Sequence, residues 1–185
     1  IDGILFTKDI QTLICSLSAN TKSVYRVPST VMSIRHHAFS YCTSINQITL
    51  SSLVSSIGNN AFENCSSLTK ITIPSSVTSI EGNPFASCDN LKTIDVDSEN
   101  PKYVFKDGAL LTKDDQTLIC YLSTNTISVY NIPSTVTSIR SNAFSNCSSL
   151  KEITLPSSIT SIGESAFSNC SSIKEITLPS SIISI

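Results

Sequence analysis

The stretch NAFENCSSLTKITIPSSVTSI, residues 60–80, returns as NAFSNCSSLKEITLPSSITSI at residues 142–162. Phe, Cys, Leu, Ile and Pro hold their places while the letters between them vary. A catalytic site is needed once, whereas a sentence repeated at constant spacing specifies architecture. With each unit started at its Pro or equivalent, Pro28, Ser51 and Pro74 fall 23 residues apart, as do Pro133, Pro156 and Pro179. The segment between Val96 and Pro133 interrupts that count and is itself repeated. DGALLTKDDQTLICYLSTNTISVYNIPSTVTSIR (107–140) matches DGILFTKDIQTLICSLSANTKSVYRVPSTVMSIR (2–35) at an offset of 105 residues. Three short units and one insertion therefore make a super-unit, and two nested periods set the fold class as a repeat solenoid.

Within a unit the apolar slots of the second copy are Val54, Ile57, Ala61, Phe62, Cys65, Leu68, Ile71 and Ile73. Leu68-x-x-Ile71-x-Ile73 ends in alternation and is rich in β-branched residues, which predicts a short strand. Pro74 lacks the N–H of a central ladder and ends it. VTSIG predicts a second short extended piece, and NNAFENC, without β alternation, predicts one tight helical turn. A single coil of this kind cannot bury enough apolar surface to stand alone, so coils must stack and share faces. The expectation is one solenoid over 1–185, β-rich with short helical turns (formally α/β), its 23-residue coils stacked in parallel. Its parts are a hairpin insertion (1–27), three repeats (28–96), a second hairpin insertion (97–132), two repeats (133–178) and a truncated repeat (179–185).

In the insertion, Ala109 to Leu111 and Leu118 to Leu122 flank the polar turn Lys113-Asp114-Asp115-Gln116, which predicts a β-hairpin. Asp107-Gly108, matched by Asp2-Gly3, supplies a turn before it. Such a hairpin is expected to lengthen one coil sideways and project from the solenoid. It either pads the core between repeats or gives a partner something distinctive to grip.

Only 14% of the 185 residues are charged and the net charge is −2, well below the roughly 25% charged residues of ordinary chains. There is no basic run, so nucleic acid and anionic membranes gain no electrostatic pull. Apolar residues never run for about 18 positions, so no segment reads as a transmembrane span. No charged-then-apolar leader opens the chain at Ile1, and PSSIISI stops inside a motif. A piece of a longer protein is the expectation.

The Leu-x-x-Ile-x-Leu portion at a 23-residue period resembles leucine-rich repeats, whose units span 20–29 residues. The fuller template LPSSITSIGESAFSNCSSIKEITLP resembles the BspA-like, or Treponema-type, class over residues 28–96 and 133–185. The spacer phrase DSENPKYVFKDGALLTKDDQTL also resembles inserts between such repeats. The sequence departs from the commonest leucine-rich repeats in having Ser76 or Val77 where an Asn follows the strand. The resemblance implies a right-handed, horseshoe-like leucine-rich-repeat solenoid belonging to a cell-surface or secreted protein. Members of that class are associated with adhesion to host or matrix proteins.

Residues able to carry chemistry are few. Cys42, Cys65, Cys88, Cys147 and Cys170 share one slot, and Cys15 and Cys120 are hairpin equivalents. Seven thiols, one per rung, make no pairing framework and no zinc tetrahedron; they read as packing. Asn64, Asn146 and Asn169 begin Asn-Cys-Ser triplets. These are either N-glycosylation acceptors or corner residues bonding their own backbone. His36 and His37 are adjacent on an extended segment and point opposite ways, which disfavours chelation. Asp95 to Glu99 imitates half a calcium loop, but Asn100 replaces its Gly and Lys106 its final Glu. No G-x-S-x-G elbow and no phosphate-cradling glycine loop occur among five glycines. No catalytic set, cofactor site or metal site is expected.

Alternation places the third and fifth residues of each strand on the outer face. These are Gln47 and Thr49, Lys70 and Thr72, Thr93 and Asp95, Glu152 and Thr154, Glu175 and Thr177. Thr fills the fifth slot everywhere except Asp95, either because β-branched residues suit exposed strands or because short hydroxyls make a docking face. Two functional classes stay open. One is a non-enzymatic adhesion module at the cell surface or secreted, binding a protein or glycan. The other is a cytoplasmic scaffold or regulatory domain, favoured by unpaired thiols. A plain structural spacer is a third.

Overall fold

The computed structural model describes residues 3–16 and 22–185. Its strands are β1 (Ile4–Phe6), β2 (Thr12–Ser16), β3 (Val24–Arg26), β4 (Ser33–Ile34), β5 (Gln47–Thr49), β6 (Ser56–Ile57), β7 (Lys70–Ile73) and β8 (Ser79–Ile80). Then come β9 (Thr93–Val96), β10 (Tyr103–Lys106), β11 (Ala109–Thr112), β12 (Thr117–Tyr121), β13 (Val129–Asn131), β14 (Ser138–Ile139), β15 (Glu152–Thr154) and β16 (Ser161–Ile162). They line two walls of a β-solenoid, and a third wall consists of turns.

The long-strand wall carries β3-β5-β7-β9 in one sheet and β13-β15 in another. Every pairing in it is parallel and steps by one repeat: Ile48 opposes Ile71, which opposes Ile94. Alternation does the sorting, for in β7 Lys70 and Thr72 are exposed while Ile71 and Ile73 are buried. The short-strand wall carries β2-β4-β6-β8 and β12-β14-β16, again parallel within each run. Equal residues therefore stack on equal residues. Phe39, Phe62 and Phe85 stack with centroids 5.5 Å apart and planes within 12°. In the second half Phe144 stacks on Phe167 at 5.2 Å, and Tyr121 occupies the rung before them at 5.5 Å. Sameness in the sequence is contact in space.

The third wall corrects one expectation: NNAFENC and its copies form chained turns, and no helix occurs among the described residues. The reason lies in where the amides point. Ala61, Glu63 and Cys65 donate locally, to Gly58, Asn60 and Phe62, but Asn60, Phe62 and Asn64 donate to Asn83, Pro84 and Ala86 of the next coil. Half of the donors thus serve the stack, and an α-helix would withdraw them. This zigzag requires left-handed residues, which Asn tolerates better than most. Asn60, Asn64, Asn142, Asn146 and Asn169 all have φ between 55° and 61°.

The hairpin forms as predicted, β11 pairing antiparallel with β12 around residues 113–116. It does not project. Ala109, Leu110, Leu111, Leu118, Ile119, Cys120 and Tyr121 are all at most 3% exposed. Alternate side chains serve opposite cores: Leu110 and Cys120 join the cluster built by residues 4–122, while Leu111 and Leu118 join the one reaching to Ala166. Its outer edge is covered by β10, and β12 continues as a parallel rung beside β14. A strand buried on both faces reads as a continuous apolar run, which is how ALL and LICYL are spelled.

Asn100 and Tyr103 close the joint on its other side. Asn100 is fully buried; its Nδ2 donates to the carbonyls of Pro74 and Val77, and its Oδ1 accepts from the amides of Lys102 and Tyr103. It occupies the slot filled by Val54 and Val77 in the preceding coils, the one Asn on that corner. The Tyr103 hydroxyl accepts the Ile80 amide at 2.8 Å, satisfying the edge of β8 where the ladder stops.

Candidate binding face

The wall built from β5, β7, β9 and β15 presents the outward residues in two columns. Gln47, Lys70 and Thr93 stand in one, Thr49, Thr72 and Asp95 in the other, aligned by ladder pairing. Eight of the ten expected residues are exposed, and Thr49 and Thr93 are half-buried. Lys70 Nζ pairs diagonally with the Asp95 carboxylate, so the one acidic break in the Thr column is neutralised by its neighbour. Both groups are about half exposed, and water screens the pair. Glu175 and Thr177 lie exposed on a segment that forms no strand, which differs from the expected fifth rung.

Sequence reading missed four members of the same face. Val24 and Arg26 on β3 pair with Gln47 and Thr49, and Val129 and Asn131 on β13 pair with Glu152 and Thr154. All four are exposed. The signal was present: SVYRVP and SVYNIP repeat the strand-then-Pro spelling, with Tyr25 and Tyr130 in the Ile slot. Starting each unit at its Pro assigned these strands to the insertions.

The wall is grooved. A cleft of about 210 Å³ lies between Gln47, Thr49, Lys70, Thr72 and Pro74, and one of about 490 Å³ between Glu152, Thr154, Glu175 and Thr177. At the joint the two sheets of the wall are not hydrogen-bonded to each other. There a cleft of about 350 Å³ is lined by Thr93, Asp95, Asp97, Phe105 and Lys113.

The remaining reactive residues are tied to the scaffold. The Cys65, Cys88 and Cys170 thiols donate to the carbonyls of Phe39, Phe62 and Phe144 in the preceding coil, at 3.0–3.1 Å. Burial pushes Cys88 and Cys120 up to about 12 and Cys65 further still. For Cys147, the neighbouring Cys170 thiol and burial both oppose ionisation. Thiolates are the reactive form, so such thiols react slowly. Asn64, Asn146 and Asn169 are the left-handed corner residues, and the Asn146 amide donates to Ser87 Oγ at 2.9 Å. Asp97 caps its own turn by accepting the Glu99 amide, and Asn100 is committed to the joint.

His36 and His37 reach different partners. His36 Nε2 lies 3.3 Å from Glu81, while its Nδ1 accepts the Asn59 amide. His37 Nδ1 lies 3.2 Å from Glu63 Oε2, the atom that also accepts Ser40 Oγ at 3.2 Å. In this trio the carboxylate sits between hydroxyl and imidazole. Nucleophilic catalysis needs the imidazole against the hydroxyl, so the trio has the wrong order. Among the described residues no three His, Cys, Asp or Glu side chains converge as metal ligands. Among them too, no helix is long and apolar enough to cross a membrane.

The sequence profile of the BspA-type leucine-rich repeat region matches residues 10–112 and 119–185, in six copies. The chain belongs to the BspA-type leucine-rich repeat family. A leucine-rich repeat protein of Eubacterium ventriosum is 28% identical, with a TM-score of 0.76, covering 92% of this chain and 52% of that one. The pneumococcal vaccine antigen PcpA is 32% identical with a TM-score of 0.79, covering 86% and 40%. A leucine-rich cell surface protein of Faecalibacterium prausnitzii is 30% identical with a TM-score of 0.72, covering 90% and 49%. The chain thus spans about half the length of these three proteins or less. No match was found among curated proteins.

Proposed function

We propose that this BspA-type chain is a non-catalytic binding module of a surface-exposed or secreted protein, and that its long-strand wall holds a protein partner, a host or matrix protein in the first instance. The observation carrying this is the pair of straight, outward columns. Gln47, Lys70 and Thr93 form one and Thr49, Thr72 and Asp95 the other, Glu152 and Thr154 hold the same two positions in the second half, and Glu175 and Thr177 lie exposed beyond them; four of the ten are charged, Lys70 being paired with Asp95. Short hydroxyls on a rigid sheet lose little side-chain entropy when ordered and can both donate and accept. Similarity to a cell surface protein and to a pneumococcal antigen supports the location. The division into hairpin insertions at 1–27 and 97–132 around blocks of repeats belongs to the same proposal.

The test is binding of the chain to an immobilised panel of extracellular-matrix proteins, beside a variant carrying Lys70→Glu, Thr72→Arg and Thr154→Arg. Binding by the parent, lost in the variant at unchanged Tm, supports the wall. Undiminished binding by the variant moves the site elsewhere, and no binding by the parent removes the matrix reading. Seven free thiols favour a second reading, an intracellular scaffold using the same wall.

A further inference from the structure

At the joint the long-strand wall is interrupted: β9 pairs with β7 alone and β13 with β15 alone. The bonds that hold these two strands show which of their main-chain groups face the gap. The Asp97 amide donates to the Ile73 carbonyl of β7. By alternation, Thr93, Asp95 and Asp97 turn their N–H and C=O toward β7, and Ile94 and Val96 turn theirs toward the joint. Across the gap, the Glu152 amide donates to Ser128 and the Ile132 amide to Thr154, which leaves Val129 and Asn131 facing the joint from the other side. Among the described residues, none of these four makes a main-chain hydrogen bond across the gap. Main-chain groups without a protein partner are rare inside a fold. Here they border the cleft of about 350 Å³ that Ile94, Val96 and Phe105 line. Of the charged residues on that cleft, Asp95 is answered by Lys70, and Lys113 Nζ donates to the Asn100 carbonyl. Asp97 accepts the Glu99 amide, and among the described residues no cation pairs with it.

We propose that the free edge of β9 takes up one extended segment of a partner protein, which adds a strand to the wall inside the joint. The inference rests on the reading of this wall as a protein-binding face, and it names the place and manner of capture. Main-chain bonds to Ile94 and Val96 supply the affinity, and alternate side chains of the segment supply the choice of partner. Its apolar residues turn inward against Phe105, and an Arg or Lys turned outward meets Asp97.

The probe is the fluorescein-labelled peptide Thr-Val-Arg-Val-Thr-Val-Thr, beside a copy N-methylated throughout and a copy with Glu in place of Arg. Binding is read by anisotropy, and its place by hydrogen exchange at single amides. The plain peptide binds and slows exchange at Ile94 and Val96 about tenfold or more. The N-methylated copy, more apolar but unable to donate, does not bind, and the Glu copy binds about tenfold more weakly. Val96→Pro deletes one joint-facing N–H and no bond to β7, a place where an edge strand tolerates Pro, and it weakens binding about tenfold or more at unchanged Tm. Asp97→Asn keeps the oxygen that accepts the Glu99 amide and erases the preference for Arg over Glu. No binding, equal binding of the N-methylated copy, or unslowed exchange at Ile94 and Val96 under saturating peptide overturns the proposal. A matrix protein that binds the parent and not the wall variant, while the peptide leaves Ile94 and Val96 unprotected, keeps the wall reading and ends this one.

Discussion

The hairpins at residues 4–16 and 109–121 have nearly the same sequence and very different surroundings. Leu110 is fully buried in the first core, whereas Leu5, its equivalent, is more than half exposed. Ile119 and Cys120 are buried, whereas Ile14 and Cys15 are partly open. Local sequence therefore sets the hairpin itself: the Asp-containing turn and the irregular step between strands, which falls at Leu5/Phe6 in one copy and Leu110/Leu111 in the other. What the neighbours supply is the energy. Stacked on both sides, the element at 109–121 is a structural joint.

That contrast can be broken most forcefully at the paired leucines. Leu110→Ala removes a fully buried side chain and leaves a cavity, costing about 3 kcal/mol. Leu5→Ala changes stability by about 0.5 kcal/mol or less, because little burial is lost. Equal costs in urea denaturation would show that the two hairpins share one environment after all. Asn100→Ala tests the joint from its other side. It leaves two amides and two carbonyls without their partner, at a cost of about 2–3 kcal/mol.

A next, smaller effect should be equal in both halves. Gly58 and Gly163 are 105 residues apart, and each follows a short strand where the chain presses on the coil before it. A Cβ on Gly58 would lie 2.5 Å from the His36 amide nitrogen, and one on Gly163 would lie 2.3 Å from that of Ser141. Main chain cannot step aside, so either Gly→Ala change costs about 1–3 kcal/mol. A large difference between the two variants would show that the halves are not packed alike.

Much of this was legible in the letters. The 23-residue period gave the coil, and Phe39, Phe62 and Phe85 stack because they recur. The outward columns follow from alternation in KITI and EIT, which says which side chains face solvent and nothing about what they hold. Three features were hidden for identifiable reasons. β3 and β13 are obscured because Tyr25 and Tyr130 replace Ile, and because a count that starts at Pro28 and Pro133 treats as beginnings the prolines that end these strands. Turns replaced the predicted helical piece because Phe62 and Asn64 spend their amides on the next coil, a demand that no local propensity encodes. The hairpin's burial was spelled by the unbroken apolar run LICYL, but periodicity alone does not say what covers each face.

The buried thiols make stability depend on pH. Burial pushes Cys88 and Cys120 from an ordinary 9.0 up to about 12 in the folded state. Above pH 9 the unfolded chain releases these protons and the folded chain keeps them, so stability is intact below pH 9 and declines as pH rises toward 12. Each such thiol contributes a slope of about 1.4 kcal/mol per pH unit in that window. Cys120→Ala should flatten the alkaline decline of the denaturation midpoint. A decline unaffected by Cys120→Ala would place the titrating group elsewhere.

The smallest test concerns one oxygen. Tyr103 fills the core with its ring and offers its hydroxyl to the Ile80 amide, the donor left over where the β4-β6-β8 ladder ends. Its hydroxyl also lies 3.4 Å from the Thr78 carbonyl, a longer bond that it donates. Tyr103→Phe keeps the packing and deletes both bonds, leaving a buried N–H without a partner. The expected loss is about 1 kcal/mol, the net worth of a hydrogen bond plus part of a desolvation cost. Hydrogen exchange locates it: the Ile80 amide should exchange faster while the Ile34 and Ile57 amides, deeper in the ladder, stay protected. Uniform acceleration across all three would mean that the hydroxyl stabilises the whole stack and is more than a cap on one edge.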